Sequence, residues 1–191
     1  MGIRFDILGA ENPLIAALAV LTLTLDLALV ATFVYYLMGR FGFELSPVES
    51  VKEYISEYFL PISLLIASTA TAGSLYMSNI LGWTPCRMCW FQRIFMYPLV
   101  LVLGIGLLFT DENVRDYAIP LALLGLPIAI YHSLHQRFEQ FGAAGCSITA
   151  VSCSTEYTFW FGYITIPVMA ATAFATVLVL MWRFGGSGSL D

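Results

Sequence analysis

The chain has 191 residues, of which 59% are hydrophobic and only 11% charged, and its formal net charge is −5. Soluble domains carry about 25% charged residues, so this composition excludes a water-soluble globular protein and favours one helical domain in a lipid bilayer. The acidic balance leaves no basic patch for nucleic acid, which excludes a nucleic-acid-binding function.

Five apolar runs are each long enough to cross about 30 Å of hydrocarbon as a helix. A backbone within lipid must satisfy its polar groups internally, and helices do so within a single segment. The sequence therefore predicts an all-α integral membrane protein. Its predicted spans are Leu14–Met38, Pro61–Leu81, Cys89–Phe109, Tyr117–His135 and Phe161–Trp182.

The first span carries a carboxyl group, Asp26, near its middle. An ionisable side chain at that depth is costly and is usually functional or paired. Thr22 lies one helical turn before Asp26, so we expect the two side chains to be hydrogen-bonded within the bundle.

The linkers between spans differ in kind. Apolar residues between 48 and 58 share one helical face, with glutamates opposite, which predicts an amphipathic helix lying on the membrane surface before the second span. The short, charged turn Asp111–Asp116 makes the third and fourth spans antiparallel neighbours. Gln136–Trp160 is a long loop, and loops of this length are usually either functional or disordered.

Cys86 and Cys89 form a Cys-x-x-Cys motif at the start of the third span. This spacing lets the two sulfurs meet across one turn, and the positive end of the helix favours a thiolate. Arg93 follows Cys89 by four residues on the same face and adds a permanent positive charge. The pattern predicts a reactive Cys89 thiolate, with Arg93 available to bind a carbonyl oxygen.

Cys146 and Cys153 form a second pair, in the long loop. Two spans separate the loop from Cys89, so both pairs face the same compartment, and persistent disulfides favour the extracytoplasmic side. Basic residues are balanced at four on each side, so charge alone does not set the orientation. A thiol–disulfide relay is one interpretation of the two pairs. A structural disulfide or a zinc site of all four cysteines is the alternative.

Two further side chains are candidates for binding a ligand near the cysteines. His132 ends the fourth span on the cysteine side, where it could relay protons or hydrogen-bond a ligand. Trp90 follows Cys89 directly and could wall a flat aromatic ligand, although an interfacial aromatic belt is the alternative.

The segment Trp83–Pro98, which reads WTPCRMCWFQRIFMYP, resembles the active-site segment of the DsbB/BdbC family of disulfide-formation proteins. The segments Val151–Tyr157 and Phe161–Pro167 are similar to the BdbC branch around its last cysteine and final helix. The resemblance covers roughly residues 58–183 and implies a four-helix bundle core. The first apolar run lies outside this core and is predicted to be one additional N-terminal transmembrane helix.

The resemblance also implies a reaction. Family members reoxidise a thioredoxin-like extracytoplasmic partner of the DsbA/BdbD type and pass the electrons to a membrane quinone, either ubiquinone or menaquinone. By this resemblance Cys146 and Cys153 exchange with the partner, Cys86 and Cys89 face the quinone, and Arg93 helps to hold it. The implied location is the cell membrane, with several spans and both cysteine pairs extracytoplasmic.

The predicted organisation has three parts. Residues 1–58 form the additional span and amphipathic linker, residues 59–183 form the redox core, and residues 184–191 form a flexible Gly/Ser-containing tail. Because the first span lies outside the resemblance and carries no cysteine, we expect it to be dispensable for the chemistry.

Overall fold

A computed structural model describes residues 12–41, 48–111, 113–138 and 152–185. Its helices are α1 (Pro13–Arg40), α2 (Val48–Asn79), α3 (Arg87–Phe109), α4 (Val114–Arg137) and α5 (Ile166–Phe184). Each is long and apolar enough to cross a membrane, which confirms the predicted all-α membrane fold. Cys146 and the predicted tail from residue 186 onward lie outside the described residues.

Helices α2 to α5 form a ring in which each helix packs against two neighbours. The sequential pairs α2–α3, α3–α4 and α4–α5 are in contact, and α2 closes the ring against α5. The short connection between Phe109 and Val114 makes α3 and α4 antiparallel neighbours, as the sequence predicts. The core of the molecule is therefore a four-helix bundle, with α1 packed outside it on α5.

The inward face of α4 carries small residues, which lets its neighbours approach closely. Ala118, Ala122, Gly125 and Ala129 are all buried at helical spacing. The Phe174 ring of α5 occupies the space that a side chain on Gly125 would need. His132 comes next on the same stripe, so this packing carries the histidine into the interior at the end of the bundle where α3 begins.

The predicted surface helix before the second span is wrong as a separate element. Val48–Asn79 is one continuous helix of 32 residues, with Pro61 inside it. Phe59 and Leu60 are only 2% and 3% exposed and belong to the core. Their burial holds the helix together across the position where proline removes a backbone hydrogen bond.

The last span begins at Ile166 rather than at the predicted Phe161. Pro167 lies at the start of α5, where its missing N–H has no helical partner to lose. Residues 160–164 form a tight turn instead, closed by the bridge between Trp160 and Ile164. Phe161 and Gly162 adopt positive φ angles of 51° and 78°, which end any helical run.

Helix α1 is fastened to the bundle through Asp26. The Oδ2 atom accepts a hydrogen bond from the Tyr163 hydroxyl at 2.8 Å, and Oδ1 accepts one from the Thr172 hydroxyl at 2.6 Å. Burial, followed by the bond to Asp26, raises the pKa of Tyr163 to about 12, so the phenol remains a donor. Asp26 has bundle partners, as expected, but Thr22 is not one of them, because its hydroxyl donates to the Leu18 carbonyl.

Candidate active site

The Cys-x-x-Cys motif lies at the N-terminus of α3. Cys86 is the N-cap residue, with extended backbone angles, and Cys89 lies within the first turn. Both are free thiols, and their sulfurs are 3.5 Å apart. Cys86 is buried, whereas Cys89 is half-buried. The predicted contact across one turn is therefore present, and the two sulfurs lie in different surroundings.

His132 connects Cys86 to two other buried groups. Its Nε2 atom lies 3.6 Å from the Cys86 sulfur and 3.1 Å from the Cys153 carbonyl oxygen. Its Nδ1 atom lies 2.9 Å from the Gln92 amide nitrogen. That nitrogen is a donor and the Cys153 carbonyl is an acceptor, which assigns a ring proton to Nε2. His132 can then donate from Nε2 towards the Cys86 sulfur.

These contacts stabilise a thiolate at Cys86. The hydrogen bond from the Cys89 thiol, together with the one from His132, lowers the pKa of Cys86 to about 4, against the opposing effect of burial. The sequence predicts the thiolate at Cys89 instead. The difference arises because the helix start and Arg93 are visible in the sequence, whereas the approach of His132 from α4 is a tertiary contact.

Cys153 completes a buried cluster with Cys86 and His132. It is 1% exposed and packs against Cys86 and Met88. Its sulfur, the Cys86 sulfur and a His132 ring nitrogen all lie within 4.8 Å of one another. Cys153 is disulfide-bonded, while Cys86 and Cys89 are both free. The structure thus brings the loop cysteine Cys153 close to Cys86, at the same end of the bundle.

The cluster of Cys86, His132 and Cys153 has the residue types of a zinc site, which was the alternative to a redox site. Zinc is bound by cysteine thiolates and neutral imidazole nitrogens. A sulfur in a disulfide is not a thiolate, so Cys153 could join such a site only after reduction. In the state described here, Cys153 therefore offers no thiolate to a metal ion.

A mostly apolar cavity adjoins Cys89. Its lining includes Cys89, Gln92 and Arg93 of α3, together with side chains of α1, α2 and α5 and of the segments that precede α3 and α5. Cys86, His132 and Cys153 do not line it. Apolar cavities with a few convergent polar groups are typical of sites for small ligands. Of the two motif cysteines, Cys89 lines this cavity and Cys86 belongs to the buried cluster.

Arg93 lies at the wall of this cavity and is held by α2. Its Nε and Nη2 atoms each donate at 3.0 Å, to the Ser74 hydroxyl and the Ser74 carbonyl respectively. Its guanidinium carbon is 5.2 Å from the centre of the Trp90 ring, within the range of a cation–π contact. Trp90 itself is 55% exposed and is not among the lining residues.

An aromatic pair stands beside the cavity and joins the two cysteine segments. The rings of Trp83 and Tyr157 are stacked, with centroids 5.2 Å apart and an interplanar angle of 11°. The Tyr157 hydroxyl donates to the Thr84 carbonyl at 3.1 Å. Both rings line the cavity, so they connect the segment before Cys86 to the segment after Cys153.

Comparisons with known proteins show to which family the chain belongs. The family model of disulfide bond formation protein DsbB matches residues 56–184. Disulfide bond formation protein C of Bacillus subtilis is 43% identical over 131 residues, which are 69% of this chain and 95% of that protein. The chain belongs to the DsbB family. No solved structure matches it.

Two proteins of other organisms are also similar to the chain. A probable disulfide formation protein of Deinococcus radiodurans is 41% identical over 130 residues, covering 64% of this chain and 85% of that protein. Probable disulfide formation protein C of Halalkalibacterium halodurans is 44% identical over 117 residues, which cover 61% of this chain and 85% of that protein. This DsbB-family chain is therefore a multi-pass membrane protein of disulfide bond formation.

Sequence reasoning missed two polar residues of the site, Gln92 and Ser74. Gln92 falls on the inward helical spacing of α3, with buried Met88 and Met96 four residues before and after it, so periodicity could have indicated that it is buried. Ser74 could not be found in this way, because its contact with Arg93 depends on how α2 and α3 pack.

Proposed function

We propose that this protein is a quinone-dependent thiol oxidase that reoxidises an extracytoplasmic thioredoxin-like dithiol protein. One observation carries the proposal: the sulfurs of the Cys-x-x-Cys motif have different neighbours. Cys86 lies beside Cys153 and His132, whereas Cys89 lines the apolar cavity with Arg93. A relay needs one sulfur that can exchange with the loop pair and one that can face a lipid-soluble acceptor.

The exchange steps follow thiol–disulfide chemistry. A thiolate of the partner attacks the disulfide of the loop pair, Cys146 and Cys153, and the partner's second thiol completes the transfer, so the partner gains a disulfide and the loop pair becomes a dithiol. With Cys86 and Cys89 oxidised, the Cys153 thiolate then attacks the Cys86 sulfur and releases the Cys89 thiolate. The second loop thiol, assigned from the sequence to Cys146, attacks Cys153 and releases Cys86.

The result of these steps is a reduced motif and an oxidised Cys153. His132 is placed to stabilise Cys86 when it leaves as a thiolate. The two electrons then remain on Cys86 and Cys89, next to the cavity.

The cavity residues fit a quinone. Arg93 presents a permanent charge and several donors to a carbonyl oxygen, and the apolar lining suits a ring with a hydrocarbon chain. A bound quinone would accept two electrons and two protons as the Cys86–Cys89 disulfide re-forms. Cys89 would face it, while Gln92 and Arg93 would orient it. Trp90 would act through Arg93, and His132 through Cys86 and Gln92.

The proposed location is the cell membrane, with the cysteine end of the bundle facing outward. Persistent disulfides form in oxidising, extracytoplasmic compartments. The partner would be a soluble thioredoxin-like protein of the DsbA/BdbD type on that side.

The test uses the purified full-length protein in lipid nanodiscs, supplied with a reduced thioredoxin-like protein and either ubiquinone or menaquinone. We expect one quinone to be reduced for each partner disulfide formed. The Cys86→Ser/Cys89→Ser variant should be inactive. Ser154→Ala, a change at an exposed residue next to Cys153, should keep full activity.

Metal analysis of the same sample addresses the alternative of a structural cysteine site. Stoichiometric zinc, together with no quinone reduction by the wild-type protein, would contradict the proposal. Quinone reduction without stoichiometric zinc would support it.

A further inference from the structure

Helix α1 lies outside the family match, which begins at residue 56, yet it lines the cavity beside Cys89. Leu18, Leu21, Thr22 and Leu25 of α1 all contribute to the lining. Leu18, Thr22 and Leu25 recur at the spacing of one helical face. A helix that carries no cysteine therefore forms part of the wall of the cavity that Cys89 also lines.

The side chains that α1 turns to the cavity suit an apolar ligand. The Thr22 hydroxyl donates to the Leu18 carbonyl at 2.8 Å, so this polar group is satisfied within its own helix. The rest of the α1 contribution is leucine. The α3 contribution to the lining includes the polar side chains of Gln92 and Arg93. The cavity is thus polar towards α3 and apolar towards α1.

Helix α1 is held on both helices that flank this wall. On α5 its contact is the pair of hydrogen bonds that Asp26 accepts from Tyr163 and Thr172. On α2 the Leu18 side chain covers Gly73, where an added Cβ would lie 3.0 Å from Leu18 Cδ1. A carboxyl within a membrane span is costly unless it has such partners, so Asp26 is placed as a fastening between α1 and the bundle.

We propose that α1 is a wall of the electron-acceptor site, that its leucines bind the apolar part of the quinone, and that Asp26 holds this wall against α5. The inference rests on the proposed function, because it assigns a role toward the same acceptor. It replaces the expectation that the first span is dispensable. Asp26 is a positioning residue, since it contacts Tyr163 and Thr172 and does not line the cavity.

The direct test is photolabelling of the wild-type protein in nanodiscs with azido-substituted naphthoquinone and benzoquinone probes, each competed by its parent quinone. Labelled peptides are located by mass spectrometry. Competed label within Pro13–Arg40 supports the inference. Competed label on α2, α3 or α5 but none on α1 overturns it and leaves the proposed function standing. Absence of competed label anywhere overturns both.

Matched variants on α1 give a second readout. Leu18→Ala/Leu25→Ala removes cavity contacts and should raise the dissociation constant for the quinone about fivefold. Leu27→Ala/Val30→Ala also truncates two apolar side chains to alanine, at residues that are 62% and 60% exposed and do not line the cavity, and it should change the constant less than about twofold. Equal effects of the two double variants would overturn the inference.

Fastening is tested by Asp26→Leu, with Asp26→Asn as the conservative variant. Asparagine retains an acceptor oxygen for Tyr163 or Thr172, whereas leucine retains none. We expect the competed label on α1 to fall in the leucine variant and to recover in the asparagine variant, while label on α3 persists in both. Unchanged α1 labelling in Asp26→Leu would overturn the role of Asp26.

Discussion

The two sides of the start of α3 differ in chemistry although their sulfurs are only 3.5 Å apart. On one side Cys86 is buried with His132 and Cys153, in a cluster of polar and sulfur atoms. On the other side Cys89 faces an apolar cavity with Arg93 at its wall. Cys86 is the N-cap residue of α3 and Cys89 is its third residue. The two thiols, separated by one helical turn, therefore have different neighbours.

The largest effect should come from removing the loop pair on the cluster side. In Cys146→Ser/Cys153→Ser no disulfide remains to exchange with a protein partner, so oxidation of that partner should fall to background. A small dithiol such as dithiothreitol can reach Cys86 and Cys89 directly, and its quinone reduction should persist. The measurement is quinone absorbance with each reductant. Oxidation of the protein partner at the wild-type rate would reduce Cys153 to a structural role.

Arg93→Ala should act on the cavity side alone. Loss of a charged hydrogen-bond donor typically costs about 1.5–3 kcal/mol, which corresponds to a rise of roughly ten- to hundredfold in the KM for quinone. Thiol–disulfide exchange with the partner should be unchanged, and Arg93→Lys should restore part of the effect.

The control for Arg93 is Ser74→Ala, which removes one of its two hydrogen-bond acceptors on Ser74 and keeps the charge. We expect a smaller rise in KM for this variant. If the KM for quinone is the same in Arg93→Ala as in the wild type, the arginine only joins α2 to α3.

His132→Phe should act on the cluster side. The pKa of Cys86 is lowered to about 4 by the Cys89 thiol and by His132, so above that value Cys86 is a thiolate, and the thiolate is lost only as the pH falls through it. Alkylation of Cys86 in the reduced wild-type protein should therefore be nearly constant between pH 6 and pH 8. Removing His132 takes away one of the two side-chain hydrogen bonds that lower the Cys86 pKa, so the pKa should rise and alkylation should begin to fall at a higher pH than in the wild type.

The pH profile is measured by mass spectrometry of the Cys86 peptide after timed alkylation. A thiol with the ordinary pKa of about 8.5 loses roughly tenfold in rate per pH unit below it. His135→Asn, one turn further along α4, is the matched control and should keep the flat profile. A flat profile in His132→Phe as well would show that the thiolate does not depend on His132.

The smallest effect should come from the aromatic pair that joins the two cysteine segments. Tyr157→Phe retains the stacking on Trp83 but removes the hydrogen bond to the Thr84 carbonyl. The expected loss is about 0.5–1.5 kcal/mol in the free energy of unfolding, measured by thermal denaturation in detergent. Trp83→Ala, which removes the stack as well, should cost more, and equal losses would argue that the ring contact contributes nothing.

Much of the fold could be predicted because a membrane span requires a long apolar run, which is visible in the sequence. The apolar runs predict all five helices, and counting spans places Cys153 at the end of the bundle where Cys86 lies. The residues at which the helices begin and end were harder to predict from the sequence. Burial of Phe59 and Leu60 carries α2 through Pro61, and the positive φ angles at Phe161 and Gly162 delay α5.

The sequence indicated candidate residues of the site, but it did not predict which side chains lie next to each cysteine. The motif and Arg93 are visible in the sequence, whereas the division of the two sulfurs depends on how His132 of α4 approaches α3. The position of α1 beside the cavity could not be predicted from the sequence. It depends on tertiary contacts of α1 with Gly73, Tyr163 and Thr172, which no local pattern in the first span indicates.

The central claim is that Cys86 faces the loop cysteine and Cys89 faces the cavity. It is tested most directly by mapping disulfides in Cys89→Ser and Cys86→Ser variants after reduction and brief reoxidation. Non-reducing digestion and mass spectrometry identify the linked peptides. The account predicts a Cys86–Cys153 link in Cys89→Ser and little Cys89–Cys153 link in Cys86→Ser. Equal yields of the two links, or a dominant Cys89–Cys153 link, would contradict it.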